Sequence, residues 1–268
     1  MSVLVVRVAA AEADACSDWL FQLGATAIEE RTSCDDPTLV VGFASDEAAL
    51  AARSILQERW ACRLEDTGDE RAWRDRWLEF LEPTEVAGFT IHAPWHDVVA
   101  VPADRRISID PGRAFGSGHH PTTRLAIEAL RRRVEPDDRV LDAGCGTGIL
   151  AIITARLGAG AVTGADLDHD VLAIAEANVE ANDVADRIRL TESSLLGLRE
   201  RFDVIVANIV IGDLRPLMAS LVDRCDRVLI VSGFLDSQFE RLLADVDVSV
   251  VEHTRAEGWG CAVLAPVV

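Results

Sequence analysis

Residues 139–158 read RVLDAGCGTGILAIITARLG: an apolar strand-like run, a loop with glycine at every second position, and an apolar helix-like run. No other stretch constrains the fold as strongly. A strand, a glycine turn and a helix open a βαβ unit, and Gly144, Gly146 and Gly148 let the backbone turn sharply and approach a ligand closely. The alternation continues to the end of the chain. AVTGADLD, RIRLTES, FDVIVANIV and RVLIVSGF read as strands, and HDVLAIAEANVEAND, DLRPLMASLVDRC and SQFERLLAD as helices, with Pro216 expected in the first turn of its helix. VSVVEHTRAEGWGCAVLAP reads as a closing hairpin. This pattern predicts a doubly wound parallel α/β sheet finished by an antiparallel pair.

The N-terminal residues follow a different rhythm. VLVVRVA, ATAIEERTS, TLVVGFA and CRLEDTG read as strands. AEADACSDWLFQLG and DEAALAARSILQERW carry helical spacing, and Asp46 is placed to cap the second helix. The order β-α-β-β-α-β is the split-βαβ or ferredoxin-like pattern, and by itself it names no function. Between the two parts, Trp73, Trp77 and Phe80 or Leu81 form a helical stripe, read as packing against a neighbouring domain. Pro83 and Gly88 end that helix.

The glycine loop narrows the ligand. A P-loop needs a lysine, and the chain has none: all 26 basic residues are arginine. The dinucleotide fingerprint wants a third glycine three positions after its second, where this chain has Ile149. The helix start favours a negative group such as a carboxylate. Asp166 closes the next strand, 22 residues after Gly144, where an acid accepts hydrogen bonds from ribose hydroxyls. Together with the terminal hairpin, these residues resemble a class I S-adenosylmethionine-dependent methyltransferase. Asn208 ends the fourth strand of this part, at the strand ends that line the ligand crevice. It is followed by Ile209, Val210 and Ile211, without the prolines and aromatic of relatives that act on adenine or glutamine amide nitrogen. No aromatic is therefore expected at this corner to stack a planar group.

The motif DPGRAFGSGHHPTT (110–123), with LDAGCGTGILAI, GADLD and VANIVIGDLRPL, resembles the ribosomal protein L11 methyltransferases over nearly the whole chain. The resemblance implies a ferredoxin-like substrate-recognition domain (1–67), a linker helix and connecting segment (68–94), and an α/β methyltransferase domain with a Rossmann-like doubly wound sheet (95–268). It implies S-adenosylmethionine as methyl donor, with Thr123, Gly144, Asp166 and Asn208 as cofactor-binding residues. Asn208 is also the candidate for positioning the reactive nitrogen. The implied substrate is ribosomal protein L11, methylated on its α-amine and lysine ε-amines. The 110–123 loop is then a cover over the donor, with Phe115 walling the pocket and a hydroxyl of Thr122 or Thr123 capping the following helix or meeting the donor. His119 stands where the family pattern commonly has threonine.

Composition adds limits. The net charge of −19 repels phosphate backbones, so no direct nucleic-acid binding is expected, and it steers a basic partner inward. The N-terminus lacks a basic leader and no apolar run spans a membrane, so a cytoplasmic protein is expected. The six cysteines form no CxxC pair and the histidines show no metal spacing, so no metal is expected. Two other readings stay open: a methyltransferase of the same fold acting on another protein or a small amine, and a donor-binding or ribosome-binding module without turnover. Oligomeric state is not indicated.

Overall fold

A computed structural model describes residues 2–9, 12–33, 36–43, 46–57, 59–66, 82–194, 197 and 199–267. The chain divides into two compact units, Met1–Phe80 and Leu81–Val268. The expected linker helix around Trp73 and Trp77 lies outside the described residues.

The first unit runs β1 (Ser2–Arg7), α1 (Ala13–Gln22), β2 (Ala25–Ser33), β3 (Asp36–Phe43), α2 (Asp46–Leu56), β4 (Ala61–Asp66). Its sheet is antiparallel, in the order β2-β3-β1-β4. Period-2 residues Leu4, Val6, Leu39 and Val41 pack with Leu20 of α1 and Leu56 of α2. Helix α2 stops at Leu56, short of the expected Trp60, whose buried indole instead donates to Glu12 Oε2 at 3.2 Å.

The second unit begins with a small sheet that pattern reading does not anticipate: β5 (Thr84–Val86), β6 (Phe89–His92) and β7 (Arg106–Ser108). Then follow α3 (Pro121–Arg133), β8 (Arg139–Ala143), α4 (Ile149–Arg156), β9 (Ala161–Asp166), α5 (His169–Ala181), β10 (Ile188–Glu192) and β11 (Phe202–Asn208). The unit ends with α6 (Ile211–Arg224), β12 (Cys225–Leu235), α7 (Phe239–Leu243), β13 (Val248–Ala256) and β14 (Trp259–Pro266).

The seven-stranded sheet has the order β10-β9-β8-β11-β12-β14-β13. The first five strands are parallel, and β14 and β13 add antiparallel. Both faces are covered, so the central strands carry near-continuous apolar runs. Val140, Val204, Val206 and Ile230 pack with Ile127 of α3 and Ile152 of α4. Leu141, Ile205, Leu229 and Val231 face Leu214 and Met218 of α6. Helix α6 begins at Ile211, two residues before its apolar run suggests, so Pro216 falls past the first turn and removes one backbone bond there. Among the described residues, no helix is long and apolar enough to cross a membrane.

Candidate donor site at the carboxyl edge of the sheet

Parallel strands β8, β9 and β11 end at one edge: Gly144 follows β8, Asp166 and Asn208 are the last residues of β9 and β11, and Thr123 comes from the start of α3. After β8 the chain passes through Gly144, Gly146 and Gly148 at φ +70°, +53° and +79°. Gly146 has a second reason to lack a side chain. A Cβ there would lie 2.4 Å from the carbonyl oxygen of Phe115. The 110–123 loop thus lies directly on the glycine loop. Phe115 accepts from the N–H of Thr147 at 3.1 Å, and the Thr147 hydroxyl donates to the Gly116 carbonyl at 2.7 Å.

The Asp166 carboxylate sits against this turn. Oδ2 accepts from the N–H of Gly146 at 3.1 Å, and Oδ1 accepts from Leu167 and Asp168 at 2.8 and 3.2 Å. The side chain of Ile209, next to Asn208, adjoins Gly144, where a Cβ would approach it to 3.1 Å. Asn208 Nδ2 donates to Thr123 Oγ1 at 3.3 Å, across 85 positions of sequence. Gly144, Asp166, Asn208 and Thr123 therefore line one continuous edge, through Gly146 on one side and Ile209 on the other.

Each backbone N–H from Gly144 to Ile149 already has an acceptor. Gly144 and Cys145 donate to Ala165, Gly146 to Asp166, Thr147 to Phe115, Gly148 to Cys145 and Ile149 to the Thr147 hydroxyl. The start of α4 is served from within as well. Asp142, buried in β8, accepts from the N–H of Ala151 at 3.0 Å, a cap that Gly148 has no side chain to provide. Burial pushes the Asp142 carboxyl up to about 7, against the pull of that N–H and with the help of nearby Asp166. The loop consequently offers few donors to a phosphate and an acceptor-rich rim to a ligand that brings its own donors. The Asn208 Oδ1 atom is buried without a partner, an acceptor waiting for an N–H or O–H. S-adenosylmethionine brings such donors in its ammonium, ribose hydroxyls and adenine amine.

The paired histidines part company. His120, not a threonine hydroxyl, caps α3: its Nδ1 accepts from the N–H of Thr122 at 3.3 Å and lies 2.8 Å from the Thr122 hydroxyl. Its half-buried ring meets Phe115 edge-on at 5.3 Å and Trp259 edge-on at 4.9 Å. Desolvation holds its pKa down to about 4, so the imidazole is neutral at physiological pH. Two aromatics thus meet at His120: Phe115 arrives from the loop and Trp259 from the start of β14. His119 lies with Nε2 2.7 Å from the Glu82 carbonyl and Nδ1 3.2 Å from that of Ser117, which ties the loop down where a threonine was expected. Arg113 closes the loop's other end on Asp168 (2.8 Å) and Asp170 (2.9 Å).

A cavity of about 550 Å³ lies at the opposite, amino ends of the strands, where Arg189 pairs with Glu200 and Arg201 with Asp226.

The model of the family described as ribosomal protein L11 methyltransferase (PrmA) matches residues 2–265. The ribosomal protein L11 methyltransferase of Ralstonia nicotianae is 34% identical, with 96% of each chain covered. That of Desulfitobacterium hafniense is 33% identical over 88% of this chain and 78% of its own. The crystal structure of ribosomal protein L11 methylase from Lactobacillus delbrueckii subsp. bulgaricus superposes with a TM-score of 0.62 at 34% identity, covering 67% of this chain and 95% of that one. These matches leave one conclusion: the chain belongs to the ribosomal protein L11 methyltransferases, a family of S-adenosylmethionine-dependent enzymes.

Proposed function

We propose that the enzyme methylates the α-amine and lysine ε-amines of ribosomal protein L11, and that Thr123, Gly144, Asp166 and Asn208 hold the donor. The observation that carries this reading is the buried, unpartnered Oδ1 of Asn208, fixed by Thr123 on the same edge as the Asp166 carboxylate. When bound, S-adenosylmethionine supplies a methyl group activated by its sulfonium. The chain's part is then to hold, orient and dry the reactants. Asp166 keeps acceptor capacity for ribose hydroxyls beyond its three backbone bonds.

The nucleophile must be a neutral amine. A free lysine ε-amine has a pKa near ~10.4, and an apolar mouth lowers it. Phe115, His120 and Trp259 supply such a mouth, with aromatic faces that also tolerate a methylated cation. His120 is held neutral there and does not repel it. Asn208 Oδ1 is placed to orient an N–H of the incoming amine or of the adenine.

The first unit, with its ferredoxin-like strand order, is assigned to grip L11, in a division into a recognition domain (1–67), a linker (68–94) and a methyltransferase domain (95–268). The net charge of −19 suits a basic ribosomal protein and disfavours direct nucleic-acid binding. The test is the intact mass of unmethylated L11 after incubation with enzyme and donor. Successive gains of one methylene, reaching several per molecule, support the reading. Donor binding with no gain on L11 transfers the activity to another amine.

A further inference from the structure

Two asparagines of α5 and its C-terminal cap make contacts that the donor-binding residues do not account for. Asn178 and Asn182 are buried, 2% and 3% exposed. Asn182 Oδ1 accepts from the N–H of Ser108 at 2.9 Å and its Nδ2 donates to the Ser108 carbonyl at 2.7 Å. Asn178 repeats the pair on Asp110, at 2.9 and 3.0 Å. Each side-chain amide thus takes both backbone groups of one residue, as a neighbouring strand would. The spacing allows it: four helical residues rise about 6.0 Å, and two strand residues about 6.6 Å. On its other edge the same segment is paired with β6, and Ile109 donates to His92 at 2.8 Å. Residues 108–110 therefore lie between a true strand and a helix face that imitates one.

Asn178 does more. Its second amide hydrogen goes to the carbonyl of Thr147 in the glycine loop, at 3.0 Å. Asn182 in turn donates to the Asn178 carbonyl at 2.7 Å. One side chain thus joins the root of the 110–123 loop to the glycine loop, and Thr147 is the residue on which Phe115 and Gly116 rest.

We infer that Asn178 and Asn182 are positioning residues for methyl transfer: they set the register in which the 110–123 loop covers the donor. This rests on the reading that the donor lies at the glycine loop beneath that cover. Asn178→Asp and Asn182→Asp keep shape and acceptor but lose the donated bonds, and the first substitution turns a carboxylate toward the carbonyls of Asp110 and Thr147. Asn182→Ala is the milder variant, since it leaves the Thr147 bond intact.

The measurements are donor affinity by calorimetry, backbone amide exchange and thermal midpoint. A structural control is Met218→Ala, a buried α6 residue in the core on the opposite face of the sheet. It lowers the midpoint through a cavity. The expected result is a donor affinity about tenfold weaker in Asn178→Asp, less so in Asn182→Ala. Exchange at Ser108 and Asp110 should quicken, while Met218→Ala binds donor as the wild type does. Variants that bind donor within about twofold of wild type overturn the inference. So does an equal loss in Met218→Ala. Failure of the wild-type chain to bind donor is a separate outcome, and it overturns the donor reading together with this one.

Discussion

The side-chain amide of Asn208 donates to the hydroxyl of Thr123, and this single bond joins the end of β11 to the first turn of α3. It orients the asparagine so that Oδ1 stays free to accept. Thr123→Val keeps the shape of the buried side chain and removes the acceptor. Stability should fall by about 1–3 kcal/mol, because Nδ2 is left unpaired. Donor affinity should fall about tenfold as Oδ1 loses its fixed direction. Calorimetric titration of S-adenosylmethionine decides the matter. Unchanged affinity would place Thr123 outside the donor site.

The Asp142 carboxyl predicts a pH dependence of unusual sign for an acid. Its folded pKa is raised to about 7, above the ordinary carboxylate value. Between roughly pH 4 and 7 the folded state therefore holds a proton that the unfolded state releases, and stability falls as pH rises through that window. Asp142→Asn keeps an acceptor for Ala151 and has nothing to ionise. The advantage of the variant over wild type should grow by on the order of 3 kcal/mol between pH 5 and pH 8.5. Denaturant titrations at both pH values give the comparison, and a difference that does not change with pH defeats the argument.

Phe115 and Trp259 flank a neutral imidazole, so their loss should be felt by the amine more than by the donor. Phe115→Leu and Trp259→Leu should each raise KM for L11 about five- to tenfold with donor affinity little changed. The backbone carbonyl of residue 115, which holds Thr147, survives the first substitution. Steady-state kinetics with L11, alongside donor titration, separates the two effects. Equal damage to donor binding would mean that the rings frame the donor instead.

Much of this site can be read from the chain, because its signals are local. The glycine loop lies between a strand and a helix that announce themselves by pattern, and Asp166 follows at the end of the next strand. What escapes such a reading is either short or distant. The β5–β7 sheet is built from strands of three or four residues, too brief for an alternation to register. Trp259 reaches His120 from a hairpin 139 positions away, and no sequence spacing carries that contact. The cap of α3 falls on His120 rather than on a threonine because Pro121 already opens the helix, and histidine is an uncommon cap. Asn178 and Asn182 do leave a trace. Two asparagines at i and i+4 stand in an Ala- and Val-rich stretch, and a buried asparagine needs partners.

The six satisfied N–H groups of the glycine loop bear on life in a crowded pool of adenine nucleotides. ATP shares adenine and ribose with S-adenosylmethionine, so those groups alone could not tell the two apart. The difference is charge: a triphosphate is a polyanion, whereas the methyl donor is a cation overall. A rim whose amides are spoken for, beside the carboxylate of Asp166, offers the triphosphate few donors and a like charge. On the proposed reading of the site, selection against the commoner nucleotide is then built into the backbone as well as into Asp166.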